Sequence, residues 1–291
     1  MIDPKGGKGR ITRFRRVLVV LDSAAGGEVL KAAAGLASAE SCELTGLFVE
    51  DQDLLRLAAL PFAREVQLSK AITRALEPEL IERDLQAQAS QAKAAIARQA
   101  ELHRLAWSFH MVRGRTEEQI LLAASAGDII AMARRVGPLA SYASVSRQAR
   151  KIAARAPGPL LLAGDREPVT PGTVLLPYDA SPAAEFMLGL ASNLAEVRQE
   201  PLEIMLLGEQ ARGLENIEER IRSATGRSQT PPLRVWIPRD KATATHRLCD
   251  LDRGLLVLPA DLSWFEAGQV ERILEEIRVP VVLQTEREPQ P

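Results

Sequence analysis

VLVVLDSAAGGEVLKAAAGLA, residues 17–37, returns in outline as VLLPYDASPAAEFMLGLASNL at 174–194. Each copy is a short apolar run ending in a carboxylate, Asp22 or Asp179, then a turn of small residues, then apolar positions at helical spacing. Glu28 and Glu185 fall at the same offset, and a second apolar run follows in each copy, CELTGLFVED at 42–51 and PLEIMLLGE at 201–209. Strand, helix, strand is therefore written twice, and a repeat of this length outranks any single motif as a guide to the fold.

The correspondence continues in DIIAM (128–132) with GLLVL (254–258), and in PGPLLLAGD (157–165) with VPVVLQTE (279–286). Continuous apolar runs between helical stretches describe strands covered on both faces, the pattern of a parallel sheet between helix layers. The expected fold class is α/β, with two tandem, open, mostly parallel five-stranded sheets of Rossmann-like design. The expected divisions are a flexible basic tail at 1–15, a first domain at 16–165, a linker at 166–172 rich in Pro and Gly, a shorter second domain at 173–286, and a tail at 287–291. Within the first domain, 81–107 reads as a long helix, 109–112 as a strand, and 115–126 as a helix with Thr116 as its cap. Ser144 or Ser146 is placed at the start of the next helix. In the second, 215–223 and 243–250 read as helices, 233–237 as a strand, and 263–277 as a helix capped by Ser263, with Val270, Ile273, Leu274 and Ile277 on one face. Residues 53–78 carry their own leucines and Phe62, too long for a plain connection, and are expected to form a lid or packing insert broken at Pro61.

Composition narrows the function. The 291 residues are 46% hydrophobic and 26% charged with a formal net charge of −1, which suits a folded core and gives no global attraction to nucleic acid or an anionic bilayer. No apolar run reaches the length of a bilayer-spanning helix, so no membrane insertion is expected. Cys42 and Cys249 stand far apart without a Cys-x-x-Cys pair, and a reducing cytoplasm is the expected setting. His103, His110 and His246 lack metal-ligand spacing, so no metal site is expected, and neither a nucleophile elbow nor a Walker loop is present. Aromatic residues are 4% of the chain and are not interleaved with basic ones, which argues against stacked bases.

In their order, VLVVLDSAAGGEVLKAAAGLA, LTGLFVED, DIIAMARR and SVSRQARKIAARAPGPLLLAG resemble a universal stress protein domain. VLLPYDASPAAEFMLGLA, GLLVLPAD and VERILEEIRVPVVLQ give a second, weaker echo, so the chain is similar to a tandem universal stress protein over nearly all of 16–285. The resemblance implies an adenine-nucleotide site made of an acidic residue after the first strand, here Asp22 and Asp179, and a long glycine-bearing loop after the fourth. Carried onto this chain, that loop gives Gly137, Ser144 and Ser146, but Ala140 stands in the second glycine's place and the interval is short. In the second copy Trp264 and Phe265 occupy the turn. Glycines and helix-start amides are what cradle phosphate, so the departures point to loss of the site.

Asp22 has two readings, a ligand acceptor or a cap for the following turn, and Asp179 has the same two. Arg134, Arg135, Arg147, Arg150 and Lys151 read as solvated charge or as an anion contact. The leading expectation is a noncatalytic regulatory or partner-docking protein with no cofactor. Its partner is a protein, and the two copies pair as an intramolecular pseudo-dimer through the edges at 160–163 and 281–284, with a further homo-oligomer possible. The alternative is an ATP- or AMP-binding switch or slow ATPase, with Mg, using Asp22, Gly137, Ser144 and Ser146.

Overall fold

The computed structural model describes residues 14–21, 27–58, 60, 64–67, 72–75, 78–134, 142–164, 171–208, 217–225, 231–259, 262, 264–266 and 268–284. In chain order the first half contains β1 (Arg16–Leu21), α1 (Gly27–Glu40), β2 (Glu43–Asp51), α2 (Gln52–Ala58), β3 (Arg64–Gln67), β4 (Ile72–Ala75), α3 (Pro78–His103), β5 (Trp107–Gly114), α4 (Thr116–Ala123), β6 (Asp128–Ala133), α5 (Tyr142–Arg155) and β7 (Leu160–Ala163). The second contains β8 (Thr173–Tyr178), α6 (Pro182–Arg198), β9 (Leu202–Leu206), α7 (Ile217–Thr225), β10 (Leu233–Trp236), α8 (Lys241–Cys249), β11 (Gly254–Pro259), α9 (Gln269–Glu276) and β12 (Val281–Gln284).

Strand alternation builds two cores, one on each face of the sheet. In β1, Val17, Val19 and Leu21 face a layer made by α1, α3, α6 and α7, while Leu18 and Val20 face the layer of α4, α5, α8 and α9. Every one of these side chains is buried, each contributing about 1.5–3 kcal/mol. Gly46 admits α3 to the sheet, since a Cβ there would lie 2.9 Å from Ile96 and from Phe109.

Two tandem five-stranded sheets meeting at the edges 160–163 and 281–284 were expected. Those edges do pair, and the pairing merges the two sets of strands into one ten-stranded sheet in the order β10-β9-β8-β11-β12-β7-β6-β1-β2-β5. All neighbours are parallel except β12 and β7, which run antiparallel with Val281 opposite Leu162, Val282 opposite Leu161 and Leu283 opposite Leu160. The physical reason is that both strands are apolar on both faces, and an exposed edge of that kind is costly unless paired. On one face of this seam Asn193 of α6 donates to the buried Glu40 of α1 at 3.1 Å. On the other, α5 lies against α9.

Several local boundaries also differ. The long helix starts at Pro78 and stops at His103, because Arg104 turns left-handed (φ 54°) and Leu105 N–H closes on Ala100 C=O at 2.8 Å. Trp107 is thus the first residue of β5, not the last of a helix. Thr116 is not a cap: Arg115 is the N-cap residue, with no side-chain bond, and its carbonyl accepts from Gln119 N–H at 3.0 Å. The last helix starts at Gln269 behind Gly268 (φ 88°), so Ser263, which lies outside the described residues, does not begin it.

The insert is a short helix α2 followed by an antiparallel hairpin of β3 and β4, and Leu57 and Leu60 stay exposed while Leu55 packs against the core. Pro61 and Phe62 lie outside the described residues. Of the tail expected at 1–15, residues 1–13 lie outside the described residues, while Phe14 is buried and Arg15 N–H bonds Gly127 C=O at 2.9 Å, so these two belong to the fold.

Candidate functional site

An open α/β sheet binds ligands beyond the carboxyl ends of its strands, where the order of connection reverses. In this sheet the reversals lie between β1 and β6 and between β8 and β11. Asp22 and Gly137, which belong to the first, lie outside the described residues. Ser144 and Ser146 fall inside α5, which begins at Tyr142, so neither is its starting residue; their side chains lie outside the described residues.

Two of the basic residues expected around the first crevice have partners across the seam. Arg134, following β6, donates through its guanidinium to the carbonyls of Ile277 and Val279, in the turn between α9 and β12. Arg150 of α5 pairs with Glu271 of α9. Lys151 is exposed, and the side chains of Arg135 and Arg147 lie outside the described residues.

The second crevice is described on both flanks. Asp179 Oδ1 accepts from Ser181 N–H at 3.0 Å, and Ser181 Oγ accepts from Ala184 N–H at 3.2 Å, with Pro182 opening α6. Here the carboxylate and hydroxyl serve the turn and the helix start. Opposite, Leu262 and Phe265 are buried, and Trp264 meets Phe265 edge to face with centroids 5.2 Å apart. Glu266 fastens the same turn, its N–H donating to Gln269 Oε1 at 2.7 Å and its carboxylate meeting Lys241 at 3.2 Å.

Behind β8 sits a cluster that sequence reading missed. The fully buried Tyr178 donates its hydroxyl to Glu185 at 2.5 Å, and Arg220 of α7 donates to Tyr178 at 3.0 Å and pairs with Glu185. Burial and, less strongly, Asp179 push the phenol's pKa up against the pull of Arg220. The shared offset of Glu28 and Glu185 was a partial signal; the partner from α7 left none.

On the α1–α6 side of the seam lies a pocket of ≈ 20 Å³, lined by Ala32, Leu36, Leu161, Leu194, Leu255 and Val282 among others. It has room for about one water, and Arg198, bonded to Glu200 at 2.8 Å, is the one charged side chain in its lining. Among the described residues no group of three or more His, Cys, Asp or Glu could hold a metal ion, and no helix is long and apolar enough to cross a membrane.

Both thiols are poor nucleophiles. Burial, with nearby carboxylates adding to it, pushes Cys42 to about 11; burial and the Glu276 carboxylate do the same for Cys249. We expect a thiol-specific disulfide reagent at pH 8 to label native protein at least about tenfold more slowly than urea-unfolded protein, since the thiolate fraction falls by that factor for each pKa unit. Equal rates would contradict the burial of Cys42 and the partial burial of Cys249.

Neither a protein-family model nor a curated protein sequence matches the chain. Among solved structures, a universal stress protein from Archaeoglobus fulgidus DSM 4304 is similar at a TM-score of 0.65 and 16% identity, over 94% of this chain and 97% of that one. A functionally unknown protein from Pseudomonas aeruginosa PAO1 is similar at a TM-score of 0.56 and 17% identity, over 94% of each chain. At such identities the likeness is one of fold: this chain has an α/β, mostly parallel sheet flanked by helices of the universal stress protein type.

Proposed function

We propose that the chain is a tandem universal-stress-type protein that acts by docking to a protein partner in the cytoplasm, without catalysis and without a nucleotide cofactor. The observation that carries this reading is the second crevice, where Phe265 is buried in the core and Asp179 and Ser181 are taken up by the start of α6. The seam supports it from the other side, since Arg134, which follows β6, and Arg150 of α5 bond to α9 and its C-terminal turn. The tandem reading rests on strand order: β5-β2-β1-β6-β7 on one side of the seam repeats as β10-β9-β8-β11-β12 on the other. Antiparallel pairing of the last strand of each set then relates the two domains, 16–165 and 173–286, as a pseudo-twofold pair.

Loss of two charge-assisted donors to phosphate weakens binding by about two to four decades. Calorimetric titration of freshly purified protein with ATP, ADP and AMP, with and without magnesium, is expected to show no specific binding tighter than the high-micromolar range. A stoichiometric low-micromolar signal abolished by Asp22→Ala would overturn this reading in favour of a nucleotide switch built on the first domain.

A further inference from the structure

The sheet has two end strands, and they are finished differently. At one end β10 is four residues long, preceded by Pro231 and Pro232 and followed two residues later by Pro238. Short length and prolines are the usual protection of an edge. At the other end β5 is eight residues long, WSFHMVRG, contains no proline, and leaves Trp107 39% and Met111 43% exposed.

The register of β5 shows which of its peptide groups face outward. Leu44 N–H of β2 donates to Ala106 C=O at 3.0 Å, and Leu44 pairs with Trp107 in a parallel ladder. In such a ladder the bonding residue of one strand reaches the two residues flanking its partner, so the even-numbered residues of β5 turn their N–H and C=O toward β2. The N–H and C=O of Trp107, Phe109, Met111 and Arg113 therefore point away from the sheet, where no further strand is paired among the described residues.

We propose that β5 is a homodimer interface, pairing antiparallel with β5 of a second copy across a twofold axis at His110. Outward-facing residues must oppose one another in hydrogen-bonded pairs, which restricts the register. Centring on His110 sets Trp107 opposite Arg113 and Phe109 opposite Met111, each pairing occurring twice, for about eight backbone hydrogen bonds. The side chains match as well as the backbone. Arg113, about half exposed and held by Glu50 of β2 at 2.8 Å and Glu82 of α3 at 3.2 Å, stands opposite the partly exposed Trp107 of the other copy, close enough for its guanidinium to swing onto that ring. Met111 brings a thioether to Phe109. This complementarity of a strand with its own reverse selects a second copy as the occupant, and it does not depend on whether the crevices bind nucleotide. Strand pairing on this scale lies near the lower end of specific interfaces, roughly 1,200 Å², so the dimer forms at micromolar concentration, ~10 μM.

Sedimentation velocity on the full chain from ~1 to ~200 μM is expected to show a monomer–dimer equilibrium, and Met111→Glu to weaken it at least about tenfold with an unchanged melting temperature. In a Cys249→Ser background, His110→Cys is expected to give a disulfide-linked dimer under mild oxidation, because residues on the axis of a non-hydrogen-bonded pair have Cα atoms about 4.5 Å apart. Val235→Cys on β10 is the control and should not cross-link. A single monomeric species across the range, a dimer unaffected by Met111→Glu, or cross-linking as efficient at residue 235 as at 110 overturns the proposal. So does a monomer whose β5 amides become protected only by an extended peptide of another protein. Should Met111→Glu fail to fold, the cysteine pair still decides.

Discussion

Asp128→Ala is expected to lower the stability of the chain by about 2–4 kcal/mol, more than most single substitutions. Asp128 opens β6 and is 3% exposed, with Arg16 of β1 bonding both its carboxylate oxygens, Nε to Oδ1 at 3.2 Å. Oδ2 also accepts from Ser125 N–H at 2.8 Å, and Arg16 reaches on to Ala123 C=O at 2.9 Å. The carboxylate thus fixes the turn before β6 and the start of β1 together. Removing it leaves a guanidinium that is 23% exposed beside its former partner, and partial hydration keeps the loss below that of a fully buried pair. Asp128→Asn, which keeps an acceptor for Ser125, should cost less. Urea unfolding with an unchanged m-value is the check, and a loss under about 1 kcal/mol would show that the turn holds without this contact.

Much of this fold was legible because it is periodic. VLVVL in β1, GLLVL in β11 and VPVVL before and within β12 announce strands buried on both faces. The small-residue turns after Asp22 and Asp179 announce the helices that follow. What failed was punctuation. Apolar residues continue past His103, so spacing alone ran the helix into Trp107, whereas one left-handed residue at Arg104 ends it. Thr116 fits a capping pattern, yet it is itself the first helical residue and the extended Arg115 precedes it. The insert was recognised by length, but nothing in its leucines distinguishes a lid from a helix and hairpin that leave Leu57 and Leu60 in solvent.

The site was less legible than the fold, for a reason rooted in sequence separation. Asp179 and Ser181 sit two and three residues, respectively, from the groups they bond, so their capping role can be read locally. Arg134 meets carbonyls 143 and 145 residues away, and no local pattern distinguishes that arginine from a solvated one or from a phosphate ligand. The same holds for Arg220, 42 residues from the tyrosine it contacts.

Arg134→Met is expected to cost about 2–4 kcal/mol and to loosen the seam on one face only. Ile277 is 1% exposed and Val279 3%, so their carbonyls would lose charged donors in a place where water does not readily replace them. These two residues lead into β12, whose pairing with β7 joins the two sets of strands. Amide exchange should therefore rise along residues 277–283 and at Leu256, whose N–H bonds Pro280 C=O at 3.0 Å, while Glu40 and Asn193 on the opposite face keep their protection. Glu271→Gln breaks only the Arg150 pair, whose side chains are 37% and 32% exposed, and should cost under about 1 kcal/mol. The contrast matters for function as well as stability. If Arg134 belongs to the seam, Arg134→Met changes exchange and unfolding but leaves any weak response to ATP or inorganic phosphate as it was. If instead exchange and stability are unchanged and anion binding is lost, the arginine serves a ligand, and the reading of the first crevice as retired from nucleotide binding falls with it.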